Sequence, residues 1–548
     1  MNLYPIKKYI GLTGKMVIFP LLFYLICFSL LTFPLLFNFS SHFFADKIDG
    51  LQNIWNIWWT NKAITELHQS PWHTTYLHYP YGTTLLGHTL NPFNGFIGIL
   101  LLKFLTLTKT YNFVVVFSFI TGGLTSFFLA YYFTRSYWSS IAAGYIFTFS
   151  NFHFAHAVGH LNLTSLEWIP LFVLSWFMLL SKPRILTALF SSLALFLVIL
   201  CDYYYFFYCC LTALIVFSWF CIQKRNNFYY LFRKNYLKPL FAFFALFLIT
   251  SGVLILAFYI SNLRDPFVGA HKAEKYSLDL LAPFIPGGFW RFAYLTKFFW
   301  SRLPGNISES SVHIGLGVCG IIIYVWIKRA VIKDKTLNLW FFLMLFFIIL
   351  ALGPKLHIFG KVIPFKILPY TILTEIIPII KLSGVPVRMM VMVILAASIL
   401  CAYGFKLLIT HRKYFIVTIL LFIIVVEYLP APLPQLKIHT PPYVEYLKKL
   451  PGEKGVFDWR NKSSMALYFQ TIHEKPIGFG YISRWTRKLK RNKKIIKNLV
   501  KNGRYDVLRD DYHFQYVMTA PDISIESEGF TPEIIYLDNQ AKIYSLSE

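Results

Sequence analysis

Apolar runs long enough to cross a bilayer alternate with short polar stretches along most of the chain, and beyond about residue 430 this pattern stops. A membrane core takes about 20 apolar helical residues. Measured against that length, spans are predicted near 16–37, 111–133, 138–153, 164–181, 185–203, 204–222, 237–260, 312–328, 338–353, 387–409 and 413–429, the third and ninth being short. That makes about eleven. The apolar piece from Asn91 to Leu107 is broken by Pro92, Gly95, Gly98 and Lys103, so it is expected to lie as an interfacial helix on the outer surface.

After Glu427 the stretch Leu429-Pro430-Ala431-Pro432-Leu433-Pro434 reads as a stiff linker. Polar sequence follows, with strands expected at Gly455–Trp459, Lys475–Tyr481 and Phe514–Thr519, and a hairpin pairing Ile534–Tyr536 with Ala541–Tyr544 around Asp538-Asn539. Within 484–504, ten Lys and Arg residues, beginning at Arg484, alternate with Leu489, Ile495, Ile496, Leu499 and Val500 as a basic amphipathic helix. The predicted fold is mainly α: a polytopic helical membrane module over 1–434, then a small extracytoplasmic α/β domain over 435–548.

Composition supports this architecture. Hydrophobic residues make up 56% of the 548 and charged residues only 14%, against about 25% in soluble chains. A net charge of +27 suits nucleic acid in a soluble protein, but repeated spanning runs exclude that class. The seven cysteines sit in or beside apolar runs without a C-x-x-C pair, so neither a disulfide framework nor a cysteine zinc site is implied. Basic residues set the orientation: with the N-terminus cytoplasmic, Lys7, Lys8, Arg135, Lys182, Arg184, Arg225, Arg233, Lys328, Arg329 and Arg412 fall inside, with Asp334 the acid among them. Segments 38–110, 154–163, 261–311 and 354–386 then face outward.

Two polar knots stand out on that side. Asp46 and Asp49 are three residues apart after the first span and are followed by Trp55, Trp58 and Trp59, a cluster suited to the headgroup layer. A carboxylate there can act as a general base or ligate a divalent ion, and either acid can instead merely cap the helix that follows. The second knot holds His153, His156, His160 and Asn162. An i, i+4 histidine pair can bind zinc but lacks a third ligand nearby, whereas His156, His160 and Asn162 suit contact with an anionic group. Glu309 and His313 close the large outer loop just before a span, where they can contact a substrate in the site or simply mark its rim. Arg388, one turn into a predicted span after Pro386, suits either an anionic partner such as a lipid phosphate or snorkelling to ordinary headgroups.

These features resemble the GT-C superfamily of polytopic glycosyltransferases. The match consists of Asp49 in D-G-L-Q-N-I-W-N-I-W-W, the surface helix opening Asn91-Pro92-Phe93, a short third span, and Gly159-His160-Leu161-Asn162 in the second outer loop. His78-Tyr79-Pro80-Tyr81-Gly82 and Gly478-Phe479-Gly480-Tyr481-Ile482-Ser483-Arg484 are similar to an uncharacterised bacterial branch. The resemblance implies a bacterial cell-membrane enzyme moving a sugar, with inversion, from a polyprenyl-phosphate donor to an extracytoplasmic glycan, lipid or protein. It implies membrane lipid as a partner and no nucleic acid. Asp49 takes the role of catalytic base or metal-associated residue, Asp46 beside it, and a divalent ion is the one cofactor implied. His156, His160 and Arg388 would hold the leaving phosphate. Two positions depart from the superfamily pattern: the second loop offers His160 and Asn162 where an acid is common, and Gly384 stands where an R-x-P-x-R-like stretch would place its first arginine. A lipid or polysaccharide transporter is the alternative from another class, and a non-catalytic assembly factor a third. The spans show no inverted repeat and no paired broken helices of the kind transporters use.

Overall fold

A computed structural model describes residues 14–224, 234–269, 271–365, 367–382, 384–452, 454–527 and 531–546. Lys7, Lys8, Arg225 and Arg233 lie outside them. The fold is mainly helical, and a helix occupies each of the predicted spans. Six are long and apolar enough to cross a membrane: Gly14–Leu31, Leu107–Thr134, Leu161–Ser181, Tyr203–Gln223, Lys234–Arg264 and Pro386–Thr410. The helices at the other five runs have 12 to 17 residues.

The organising element is the helix Met390–Thr410, apolar on every side, with Met390 to Phe405 continuously buried. A helix without a polar face belongs inside a bundle. It packs on Tyr137–Thr148, Leu316–Ile332 and Thr336–Ala351. By contrast Lys234–Arg264 leaves Leu248, Ile249, Val253 and Leu263 more than half exposed, as a helix bordering lipid does.

The helix Asp49–Asn61 is buried from Gly50 to Thr60. It is held between Pro92–Leu101 and Ser463–His473. Gly95 permits the first contact, because a Cβ there would sit 2.5 Å from Thr60 Oγ1. The tryptophans after Asp49 are therefore not a headgroup belt. Trp55 and Trp59 are fully buried with stacked rings 5.6 Å apart, and they pack with Tyr76, Leu77, Leu467 and Ile477. Burial leaves the indole N–H of Trp55 needing an acceptor, and Gln470 Oε1 provides it at 2.7 Å. The amide of Gln470 in turn donates to Tyr76 O at 2.7 Å.

The C-terminal segment forms a four-stranded sheet in the order Gly455–Asp458, Phe514–Thr519, Lys542–Ser545, Glu533–Leu537. Its first pair is parallel and the other two antiparallel. The expected hairpin is present. The strand expected at Lys475–Tyr481 is not: only Ile477 makes bridges, to Leu77 and Val456. Pro476 brings no N–H to a ladder, and Gly478 and Gly480 weaken strand packing. The proline-rich linker is tied down rather than free. Ala431 N–H donates to Phe289 O at 2.7 Å, and Leu436 and Phe43 exchange two backbone bonds of 2.8 Å.

Candidate active site

The two polar knots form one unit. Asp46 Oδ1 accepts the N–H groups of Ile48 (2.8 Å) and Gly50 (2.9 Å), and Asp46 N–H donates to Val158 O at 2.8 Å. Gly159 lets the loops meet, since a Cβ there would lie 2.5 Å from Asp46 Oδ2. Asn53 spans the joint, donating to Asp49 O at 2.9 Å and Gly159 O at 2.7 Å. Asp46, expected beside Asp49 as a catalytic acid, thus spends a carboxylate oxygen on opening the helix. Asp49 is freed for other work.

Asp49 Oδ2 lies 3.3 Å from His160 Nε2, and its side chain remains 30% exposed. Burial pushes its carboxyl pKa up, but the hydrogen bond and charge of His160, with help from the Tyr481 hydroxyl and Arg388, leave it below the ordinary value. His160 Nδ1 stands 3.1 Å from His156 Nδ1. Of these two nitrogens one donates and the other accepts. The other ring nitrogen of His156, Nε2, faces Glu309. That atom is buried, has no hydrogen-bond partner, and lies 3.8 Å from Glu309 Oε2. Burial drives the His156 pKa well below its ordinary value.

Glu309 is 3% exposed and meets Arg388 through both carboxylate oxygens: Arg388 Nε donates at 3.0 and 3.2 Å, and its Nη2 donates to Oε1. Burial would raise the Glu309 pKa; the charges of Arg388, His156 and His160 and the bonds from Arg388 bring it down to about 2. The Arg388 guanidinium also stacks over Tyr204, 5.2 Å from the ring centre. Five predicted residues, Asp49, His160, His156, Glu309 and Arg388, therefore form one continuous row running from solvent into the protein.

Three others stand outside that row. Asn162 donates to Asp202 Oδ2 at 2.7 Å, while Asp202 Oδ1 caps Tyr203–Gln223 through the N–H groups of Tyr204 and Tyr205. His313 Nε2 is 3.0 Å from Glu427 O and 3.3 Å from Asn151 Nδ2, a buried structural role. Asp46 is the cap described above. Gly384 carries no arginine for a backbone reason: its φ is +61°, and a Cβ would come within 2.1 Å of His271 O.

His156, His160 and Glu309 offer ligand atoms within 4.8 Å of one another, which supplies the third ligand missing near the histidine pair. The orphaned Nε2 of His156 and the N, N, O donor set fit a borderline divalent ion such as Zn²⁺. Asp49, expected as the metal-associated acid, adjoins this set through His160.

A cavity of about 270 Å³ lies alongside, walled mainly by apolar groups that include Leu200, Phe207, Leu254 and Phe258. Its polar lining includes His88, Asp202, Tyr204, Ser483 and Arg484. Tyr204, Tyr481 and Arg484 went unread as site residues in the sequence. The signal for two of them was the Gly478–Arg484 stretch itself, which comes back to Asp49 from more than 400 positions away.

A family model described as a domain of unknown function (DUF6311) matches residues 21–427. The chain belongs to this family. The row of site residues from Asp49 to Arg388 lies within the DUF6311 match, whereas Tyr481 and Arg484 lie beyond it. No curated protein matches the chain. Among solved structures, the arabinofuranosyltransferase AftD from Mycobacteria aligns with a TM-score of 0.58 at 13% identity, over 96% of this chain and 40% of its own. The chain thus spans well under half of AftD. The oligosaccharyltransferase AglB from Archaeoglobus fulgidus gives 0.47 at 12% identity, over 92% and 69%, and ArnT from Cupriavidus metallidurans 0.41 at 9%, over 96% and 97%. The fold statement rests on AftD: this DUF6311 chain has a GT-C-like polytopic membrane fold.

Proposed function

We propose that the chain is a membrane glycosyltransferase that moves a sugar from a polyprenyl-phosphate donor to a hydroxyl acceptor on the extracytoplasmic side of a bacterial cell membrane. One observation carries the reading: the Asp49 carboxylate is reachable from solvent and held ionised, while the charges behind it are buried and paired. The likeness to AftD supports it through the fold alone. In this reading the eleven apolar helices all cross the membrane, the N-terminus is cytoplasmic, and residues 435–548 form an outer domain over the site.

The chemistry is a single displacement. The acceptor oxygen attacks C1 of the sugar as Asp49 takes its proton; the C1–O bond to phosphate breaks, the electron pair leaves with the phosphate, and C1 inverts. His160 orients Asp49 and keeps it ionised. Hydrogen-bond donors aimed at the leaving phosphate lower the barrier as charge develops there. A divalent ion, held by His156, His160 and Glu309, would supply Lewis-acid stabilisation of that charge. The apolar cavity takes the first isoprenoid units of the donor.

Proteoliposomes carrying labelled polyprenyl-phosphate sugar and a panel of hydroxyl acceptors test this reading. Release of polyprenyl phosphate together with a glycosylated product is expected. Movement of intact lipid between leaflets without release would replace it with transport.

A further inference from the structure

The cation nearest to any donor phosphate need not be the one that looked best in the sequence. Arg388 is buried and already bound through both oxygens of Glu309, so its charge is compensated before a substrate arrives. It is also not among the residues lining the apolar cavity. Arg484 is among them. Although counted with the cations of the basic helix, it stands before that helix, which begins at Arg487. Its guanidinium donates to the Tyr204 hydroxyl at 3.0 Å, to Leu382 O at 3.0 Å and to its own neighbour Ser483 O at 2.8 Å. Among the described residues it makes no ion pair with a carboxylate. The acid on the same wall, Asp202, has its oxygens occupied by Asn162 and the backbone of Tyr204 and Tyr205. His88 is held neutral there, its pKa pushed down to about 3 by burial and by Arg484.

The position of Arg484 is fixed from both sides. Ser483 N–H donates to His88 Nδ1 at 3.1 Å, and Ser483 Oγ accepts from Thr89 N–H at 3.0 Å. On the other side, Trp485 and Thr486 pair antiparallel with Val268 and Phe267. A guanidinium pinned in the wall of a mainly apolar cavity, without a carboxylate partner among the described residues, suits an amphiphilic anion.

We propose that Arg484 and the Tyr204 hydroxyl form the phosphate subsite for a lipid-linked phosphate, so that the C-terminal segment completes the donor site. This rests on the glycosyltransferase reading for its ligand class. Tyr204 couples the subsite to the row at Asp49, because its ring lies under Arg388 while its hydroxyl meets Arg484.

Binding to the full chain in nanodiscs tests the subsite without requiring turnover. The probes are a polyprenyl phosphate, the matching polyprenyl alcohol and inorganic phosphate. For the parent we expect the lipid phosphate to bind more tightly than either control. Arg484→Gln is expected to weaken the lipid phosphate by about tenfold or more, the size of one charge-assisted hydrogen bond, while leaving the alcohol unchanged. Arg484→Lys should restore part of the loss, and Tyr204→Phe should show a smaller one. Retained alcohol binding reports a folded cavity; if Arg484→Gln does not fold, the Lys and Phe variants carry the comparison. Equal binding of lipid phosphate by parent and folded variants overturns the Arg484 assignment and leaves the glycosyltransferase reading standing. Inorganic phosphate binding as tightly as the lipid overturns the lipid-linked source. A parent that binds no lipid phosphate overturns the subsite and the donor reading together.

Discussion

Glu309 and Arg388, 79 positions apart in the chain, meet inside the protein as a bidentate pair, 3% and 9% exposed. Two such charges are tolerable away from water only because each satisfies the other. Removing one partner strands the other, at a cost of about 3–5 kcal/mol. Glu309→Gln and Arg388→Gln should each lower the melting temperature in detergent, and the double variant should lose much less than the sum. Additive losses would show that the two side chains stabilise the fold independently.

The same pair gives stability a pH dependence of known sign. Glu309 titrates at about 2 when folded, against an ordinary 4.5. Because the folded value is the lower one, its contribution is fully present above pH 4.5 and is lost as pH falls through the folded value. Melting temperature should therefore drop as pH is lowered from 4.5 toward 2, and Glu309→Gln should show a smaller drop over that window.

Gly159 is where the two polar loops touch. In Gly159→Ala the new Cβ would press on Asp46 Oδ2, which must move and loosen the cap on Asp49–Asn61. A loss of about 1–3 kcal/mol is expected from the overpacking. Asp46→Asn/Gly159→Ala should be little worse than Gly159→Ala alone, and a thermal-denaturation series on the four proteins checks this.

The basic helix Arg487–Lys501 buries Leu489 in the cluster around Trp55 and Trp59, and Ile496 and Val500 against Phe457 and Phe514 of the C-terminal sheet, while Ile495 stays exposed. Those three residues are not available to lie on a leaflet. Arg487, Lys488, Lys490, Arg491 and Lys494 remain exposed, and each can add about 1 kcal/mol near an anionic surface. The full chain in neutral nanodiscs should bind anionic vesicles in a salt-dependent way. Changing Lys488, Lys490, Arg491 and Lys494 to Gln should flatten that dependence; an unchanged salt response would assign the binding elsewhere.

Much of this site was legible beforehand, and the limits have physical causes. An acid directly after a span is costly unless it reaches water, so Asp49 announced itself, as did Arg388 inside a span. Their pairings are not legible in the same way: Glu309 reads as a residue at the rim without a named partner, and it and Tyr481 come from distant loops with no periodicity to show which side chain each meets. Asp46 and Asp49 look alike in sequence and part only when one accepts the helix N–H groups. The tryptophans carry the same ambiguity: an indole serves equally at a headgroup layer or in a core. Only Gln470, in another part of the chain, decides for the core.

The most direct test of the account is the rate of sugar transfer by Asp49→Asn in proteoliposomes, beside the parent and with folding verified by melting temperature. Loss of the base should slow transfer by about 10²–10⁴-fold while polyprenyl phosphate still binds. Transfer at the parental rate by a correctly folded Asp49→Asn protein would contradict the catalytic role of Asp49 and, with it, the mechanism proposed for this fold.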